Sequence, residues 1–505
     1  MKDTRELFAK YTDPKQFGRI VEMDTVSEMW LKVSKEFADV IAIEDNGNKY
    51  SFAKLEEDIS LFRGLLISRG LKKGDRVGVL ARNSYELVMM YLAVVTSGLC
   101  AAILPAHLDD KTIFGVSMKF ALKGLAYAPD MEERVTFAKE HNPNLKFFAA
   151  NEKGEKTPIF TDLNKKDPAL IMFTGGTTGR SKGALLSNGA VMQGTVNGCY
   201  GVKDIFNQRY LLVLPLSHVF GLIRNLMTSL YTGSTLFINR NPKDMFKDIA
   251  IFRPTILVIV PALAEMALNL SKQFNRNMLG DSLKCIICGA AKVPPYLIFE
   301  YDKMGITLLA GYGLTESANL VSGNPENLKK PDSVGIPYPH QEFKVVNNEL
   351  WIKGENMMDG YVGEEGANEE AYEDGWFKTG DLVKFDEDGF LYITGRCKEI
   401  IVLSNGENVS PAEIEAIFNQ LSIVQDSQLY EDVDENGVHF LALEVVPRMS
   451  ELMKVEVEDK MSYLMEELNK VNMTLLPHQR AAKIIIRDKD FERTPAMKII
   501  RYHKC

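Results

Sequence analysis

The sequence predicts an α/β protein: a large N-terminal domain of parallel-sheet α/β layers with a β-rich portion, followed by a small α+β C-terminal domain. Three observations carry this. Short apolar strands alternate with helical stretches through residues 50–107, and the same rhythm returns later in the chain. From about residue 332 the texture changes to short strands and turns. After Arg396 a mixed stretch of strands and amphipathic helices follows. The domains expected are therefore 1–395, its β-rich part at about 332–395, and 396–505.

The elements follow in order. "SFAKLEEDISLFRGLLISRG" has apolar residues at helical spacing and stops at a glycine. "DRVGVLA" and "LCAAILP" are short buried strands. The helix between them, in "SYELVMMYLAVVTSG", is apolar nearly all round and should be buried. Helices between short apolar strands indicate a parallel sheet covered on both faces. "YLLVLPL", "GSTLFIN", "PTILVIV", "LKCIICG" and "ITLLAGYG" are further strands. "SVGIPYP", "EFKVVNNELWIKG" and "GWFKTGD" belong to the β-rich part, and "FDEDGFLYI" is a hairpin turning at Asp-Gly. Past Arg396, "EIIVLS" and "HFLALEVV" are strands, and "SPAEIEAIF" and "EDKMSYLMEELNKVN" are helices. Ser410, Pro411 and Glu413 together form a helix-start signal of capping-box type.

The 505 residues are 46% hydrophobic and 25% charged, with room for more than one core. A net charge of −9 argues against broad nucleic-acid binding and against an electrostatic membrane anchor. "MKDTRELFAKYTDP" has no apolar leader segment, and no apolar run reaches the roughly 18–20 residues of a spanning helix. "YHKC" matches neither a prenylation box nor a peroxisomal signal, so the expected setting is soluble, reducing and cytoplasmic. Six cysteines make no disulfide framework. Cys285 and Cys288 form a CxxC, but residues three apart on a strand point to opposite faces, so buried thiols are expected.

"FTGGTTGRSKG", residues 173–183, has the composition of a phosphate loop. It is not the nucleotide P-loop, because Ser181 rather than glycine precedes Lys182. Glycines still let backbone N–H groups line an anion site, the threonines add hydroxyls, and Lys182 adds a cation.

From Thr174 to Gly183 the stretch resembles the signature loop of the adenylate-forming superfamily. That superfamily includes acyl-CoA synthetases, firefly luciferase and the adenylation domains of peptide synthetases. "PLSHVFG" (215–221), "CGAA" (288–291), "GYGLTES" (311–317), "DGWFKTGDL" (374–382), "YITGRCKEIIVLSNGENVSPAEIE" (392–415) and "RTPAMKIIR" (493–501) follow in family order. The resemblance implies a two-step reaction. A carboxylate attacks the α-phosphate of ATP, giving an acyl-adenylate and pyrophosphate, and a thiol then displaces AMP.

The resemblance also implies roles. Thr174, Gly175, Gly176, Thr177, Thr178, Gly179 and Lys182 would hold the β- and γ-phosphates. Thr315 would bond the α-phosphate and Glu316 would ligate Mg²⁺, a hard cation that takes oxygen. Gly289, Ala290 and Ala291, with Gly311, Tyr312 and Gly313, would form the adenine slot. Asp381, placed at a strand end, would accept from the ribose hydroxyls, and Arg396 would contact ribose or phosphate. Lys498 would bridge the substrate carboxylate and the α-phosphate. Here "AMK" stands where the family has a small residue, Gly and Lys. Lys398 would be the hinge about which the small domain rotates, presenting Lys498 for the first step and the "LSNGE" loop for the second.

Amino-acid-activating members carry an aspartate where this chain has Ser217-His218, so an amino-acid substrate is disfavoured. The acid pocket expected from the resemblance includes His218, Phe220, Ile223, Ile286 and Leu320, an apolar set. A medium- to long-chain fatty acid is the first expectation and an aryl acid the second. CoA is the default acceptor and a free-standing acyl carrier protein its rival. A non-catalytic nucleotide-binding relative and a luciferase-like oxygenase are the readings from other classes.

Overall fold

The computed structural model describes residues 4–174, 182–364, 366–403, 408–434, 439–493 and 499–501. The chain divides into two compact units, Met1–Glu342 with Lys353–Trp376 and Phe343–Ile352 with Phe377–Cys505.

The first unit is built on two large sheets. In one, seven strands run in the order Gly360–Val362, Lys182–Ser187, Pro168–Thr174, Cys100–Leu104, Arg76–Leu80, Gly124–Tyr127, Lys146–Ala149. The pairs from Pro168–Thr174 to Lys146–Ala149 are parallel; the two beyond it are antiparallel. The other has nine strands and a parallel centre from Ile41–Asp45 through Thr235–Ile238, Arg209–Leu212, Ile256–Ile259 and Cys285–Cys288 to Thr307–Tyr312. Short antiparallel strands close both of its edges.

The helices form where the periodicity places them. Tyr85–Val95 starts at Ser84, whose Oγ accepts from Leu87 N, and buries every residue but Glu86. Phe52–Ser68 starts on Ser51 and gives way at Gly70, where φ is +78°. Tyr85–Val95 packs on Arg76–Leu80 and Cys100–Leu104 and against Phe52–Ser68, which in turn packs on Ile41–Asp45 of the other sheet.

In the second unit Trp376–Phe385 and Leu391–Arg396 form the expected hairpin. A three-stranded sheet of Val424–Val433, His439–Pro447 and Lys483–Ile486 packs with the helices Pro411–Phe418 and Lys460–Thr474. Its core gathers Ile414, Phe418, Leu429, Leu443, Leu464 and Leu468.

Two local expectations are corrected. Ser410 is the N-cap of Pro411–Phe418, but its side chain makes no capping bond. Its Oγ donates instead to Thr394 O at 3.1 Å, so no capping box closes with Glu413. Asp381 lies inside the strand Trp376–Phe385 rather than at its end. Gly380, at φ +70°, lets the ladder continue past an irregularity there.

Cys285 and Cys288 are buried free thiols on a central strand. Burial pushes the Cys285 thiol up to about 12 and raises that of Cys288 as well. No helix of the described residues is long and apolar enough to cross a membrane.

Candidate active site

Thr174 and Lys182 stand opposite each other in the antiparallel register of their strands, so the ends of the phosphate-loop sequence are held side by side. Gly175, Gly176, Thr177, Thr178 and Gly179 lie outside the described residues, as does Lys498. Gly183 is favoured for a packing reason: a Cβ there would lie 2.6 Å from Phe120 Cζ.

Beyond Lys182 the ladder continues to Gly360–Val362, with Tyr361 opposite Ala184. Tyr361 Oη donates to Glu316 Oε1 at 2.7 Å. The same ring carries the Lys182 ammonium, 4.7 Å from its centroid. One aromatic side chain thus joins the loop's cation to the carboxylate expected to ligate metal. Burial, and then the Glu316 charge and hydrogen bond, hold the Tyr361 phenol far above its usual range, so it is a donor at all working pH. Tyr361 was not among the residues expected from sequence; "DGYVG" has a turn signal but no periodicity.

Thr315 and Glu316 sit in a one-turn helix, Thr315–Ser317, directly after the strand Thr307–Tyr312. Ser317 Oγ donates to Leu314 O, and Asn356 Nδ2 donates to Ser317 O and Leu320 O at 2.7 and 2.6 Å. Met358 N donates to Glu316 O at 2.8 Å. The turn is therefore fixed by backbone bonds on both sides, and the Thr315 and Glu316 side chains stay half-buried. Gly313 allows it, because a Cβ there would overlap the Asn319 carbonyl.

Cys288 is in register with Ala310, so Gly289–Ala291 and Gly311–Gly313 stand side by side at the carboxyl ends of neighbouring parallel strands. Those ends are where α/β sheets bind ligands. Ala290 holds φ +66°, and Ala290 and Ala291 are exposed.

His218 is exposed, just before a π-helical segment, Phe220–Met227. Phe220 Cζ lies 3.3 Å from where a Cβ on Gly289 would be. Ile223 packs towards Gly194 and Leu320 is nearly buried. Ile286 is on the other face of its strand, fully buried with Leu257, Leu297 and Leu308, and so does not line the Phe220 side.

In the second unit, Asp381 and Arg396 are register partners, with Arg396 Nε 2.8 Å from Asp381 Oδ1. The Asp381 carboxylate is 7% exposed and the guanidinium 45%. Lys398 is exposed in the single turn Cys397–Glu399.

Residues 31–362 match the family described as AMP-binding enzyme. The chain belongs to that family. This AMP-binding enzyme is 29% identical to the 2-succinylbenzoate–CoA ligase of Bacillus licheniformis over 407 residues, 77% of this chain and 83% of that one. It is 30% identical to the long-chain-fatty-acid–CoA ligase of Salmonella typhimurium over 459 residues, 79% and 81%. Its fold is similar to that of O-succinylbenzoate coenzyme A synthetase from Bacillus subtilis, solved with ATP and magnesium ion (TM-score 0.78, 24% identity, 94% and 98% covered). The AMP-binding enzyme is an AMP-forming acid–thiol ligase: it adenylates a carboxylic acid with ATP and transfers the acyl group to CoA.

Proposed function

We propose that the acid is aromatic rather than a long-chain fatty acid. One observation carries the reading. On the face of the sheet that Phe220 covers, Cys285 and Ile287 each keep 8% exposure and Leu309 is only half-buried. On the opposite face Ile286, Cys288, Leu308 and Ala310 are at 0–6%. The Phe220 side of this strand is thus the less tightly sealed, and the Phe220 ring itself stands over Gly289. A buried arginine, Arg224, stands on the same helical segment, which is poor lining for a long alkyl chain. The 2-succinylbenzoate ligase relative supports the choice.

The residues would act as follows. The carboxylate oxygen attacks the α-phosphorus, the bond to pyrophosphate breaks, and charge builds on the equatorial oxygens. The 174–183 loop with Lys182 holds the departing phosphates, Thr315 donates to the α-phosphate, and Lys498 neutralises the approaching carboxylate. Glu316 suits Mg²⁺, which shields phosphate charge when bound. Among the described residues no three acidic, His or Cys side chains cluster, so this carboxylate would share the ion with phosphate oxygens and water. Gly289–Ala291 and Gly311–Gly313 take adenine, and Asp381 with Arg396 takes ribose. Rotation about Lys398 then withdraws Lys498, the CoA thiolate attacks the acyl carbonyl, and AMP leaves.

ATP–pyrophosphate exchange over aromatic acids and over fatty acids from hexanoate to palmitate, repeated with CoA, tests the reading. The best aromatic acid should exceed the best fatty acid at least roughly tenfold in kcat/KM. The reverse order sinks it.

A further inference from the structure

Gly360–Val362 is the edge strand of the seven-stranded sheet, with Lys182–Ser187 as its inner neighbour. Within it, Tyr361 carries the two contacts that join Lys182 to Glu316. A residue on an edge strand can have a backbone N–H and C=O with no ladder partner on the outer side. At Tyr361 both are taken up by Asn368. Tyr361 N donates to Asn368 Oδ1 at 2.7 Å, and Asn368 Nδ2 donates back to Tyr361 O at 3.4 Å. A carboxamide used this way pairs with the strand as one more peptide unit would.

The chain is shaped to admit that amide. Asn368 is the second residue of a short helix, Ala367–Ala371, which begins after Gly366 at φ +78°. Gly360 has φ +146°, and a Cβ there would lie 2.9 Å from Asn368 Oδ1. The helix leads into Tyr372, whose Oη donates to Met358 O at 2.8 Å. Beyond the strand, Lys119 Nζ lies 2.6 Å from Glu364 Oε1. Tyr372 and Lys119 thus tie down the ends of this stretch, and Asn368 ties its middle.

Water satisfies an exposed strand edge at little cost, but it does so in many geometries. A side-chain amide with two bonds to one residue does so in one. At Tyr361 that difference matters. Its side chain is long and rigid, so a small tilt of the strand is magnified at the phenol, and the same ring serves a cation and a carboxylate at once.

We infer that Asn368 is a positioning residue for the phosphate and metal side of the site. By bracketing the Tyr361 backbone it fixes where the ring supports Lys182 and where the hydroxyl aims Glu316. The inference rests on the roles proposed above for Lys182 and Glu316. Leucine at 368 would keep the volume and lose both bonds. Threonine would offer one acceptor to Tyr361 N and could not span to the carbonyl as well.

The test reads two quantities on folded enzyme beside the melting temperature. They are metal-free ATP affinity by calorimetry and the Mg²⁺ concentration for half-maximal ATP–pyrophosphate exchange. Asn368→Leu should weaken metal-free ATP binding several-fold and raise the Mg²⁺ requirement several-fold. Asn368→Thr should fall between it and wild type in both, and decides in its place if Asn368→Leu does not fold. In a Tyr361→Phe background, Asn368→Leu should add nothing to the Mg²⁺ requirement, because the hydroxyl it positions is gone, yet should still weaken ATP binding. An amide that merely closes the sheet edge would lower the melting temperature and leave ATP affinity and Mg²⁺ requirement at wild-type values; that result overturns the inference. Full additivity of Asn368→Leu and Tyr361→Phe in the Mg²⁺ requirement overturns it too. Glu316→Gln is run alongside. If its Mg²⁺ dependence is unchanged, the metal role of Glu316 fails, and metal-free ATP affinity alone then judges Asn368.

Discussion

Tyr361 Oη lies 2.7 Å from Glu316 Oε1 across 45 residues of sequence, and the Tyr361 ring lies beneath the Lys182 ammonium. The hydroxyl aims the carboxylate, and the ring keeps the loop's lysine beside it. Tyr361→Phe removes only the first function. The Mg²⁺ concentration for half-maximal adenylation should rise several-fold, while metal-free ATP binding by calorimetry stays unchanged. Glu316→Gln should lose at least roughly tenfold in activity, partly recovered at high Mg²⁺. Unchanged Mg²⁺ dependence in both variants would remove Glu316 from the metal site.

His218 is exposed, so it contributes little to packing. His218→Ala should leave the melting temperature where it was and lower the turnover of folded enzyme. A fall in melting temperature with turnover intact would assign it a structural role.

Gly183→Ala should destabilise the first unit by about 1–3 kcal/mol, because the new methyl meets the Phe120 ring. Phe120→Leu in the same chain should recover part of the loss. Denaturant midpoints of the single and double variants check this, and equal midpoints for Gly183→Ala and wild type would refute it.

Asp381 and Arg396 pair at 2.8 Å with the guanidinium 45% exposed, so the pair itself is worth only about 0–1 kcal/mol to stability. Arg396→Ala should therefore shift the melting temperature little and raise KM for ATP several-fold. A large stability loss with unchanged KM would make the pair purely structural.

The two half-reactions should separate by variant. Lys498→Ala should suppress acyl-adenylate formation by orders of magnitude yet convert pre-made adenylate and CoA to thioester. Lys398→Pro should make adenylate and fail at thioester, because fixing φ stiffens the proposed hinge. Equal defects of Lys498→Ala in both halves would argue against domain alternation.

Periodicity was enough to place Phe52–Ser68 and Tyr85–Val95, since a helix that packs on all sides writes its burial into the sequence. The buried thiols were legible too, because an apolar, β-branched run marks a buried strand. Tyr361 was not, because a three-residue strand has no period, and its partner strand lies far back in the chain. Nor was the Phe220 side of Cys285–Cys288: "CIIC" is apolar on both sides, and only tertiary neighbours decide which side faces Phe220. Ile286 was assigned to the pocket on that ambiguity. Ser410 shows the same limit, its hydroxyl having two acceptable uses that only the position of Thr394 separates.

Lys182–Ser187 is flanked by Pro168–Thr174 on one side and by Gly360–Val362 on the other. The outer neighbour is thus translated long after the strand it covers. Until residue 362 has left the ribosome, the edge Lys182–Ser187 has bare N–H and C=O groups and an apolar "ALL" segment. Completion of the first unit waits on a return of the chain from its β-rich part, a contact of high sequence separation and slow closure. Nascent chains stalled before that return should recruit chaperones or pair edge to edge, and those released after it should not.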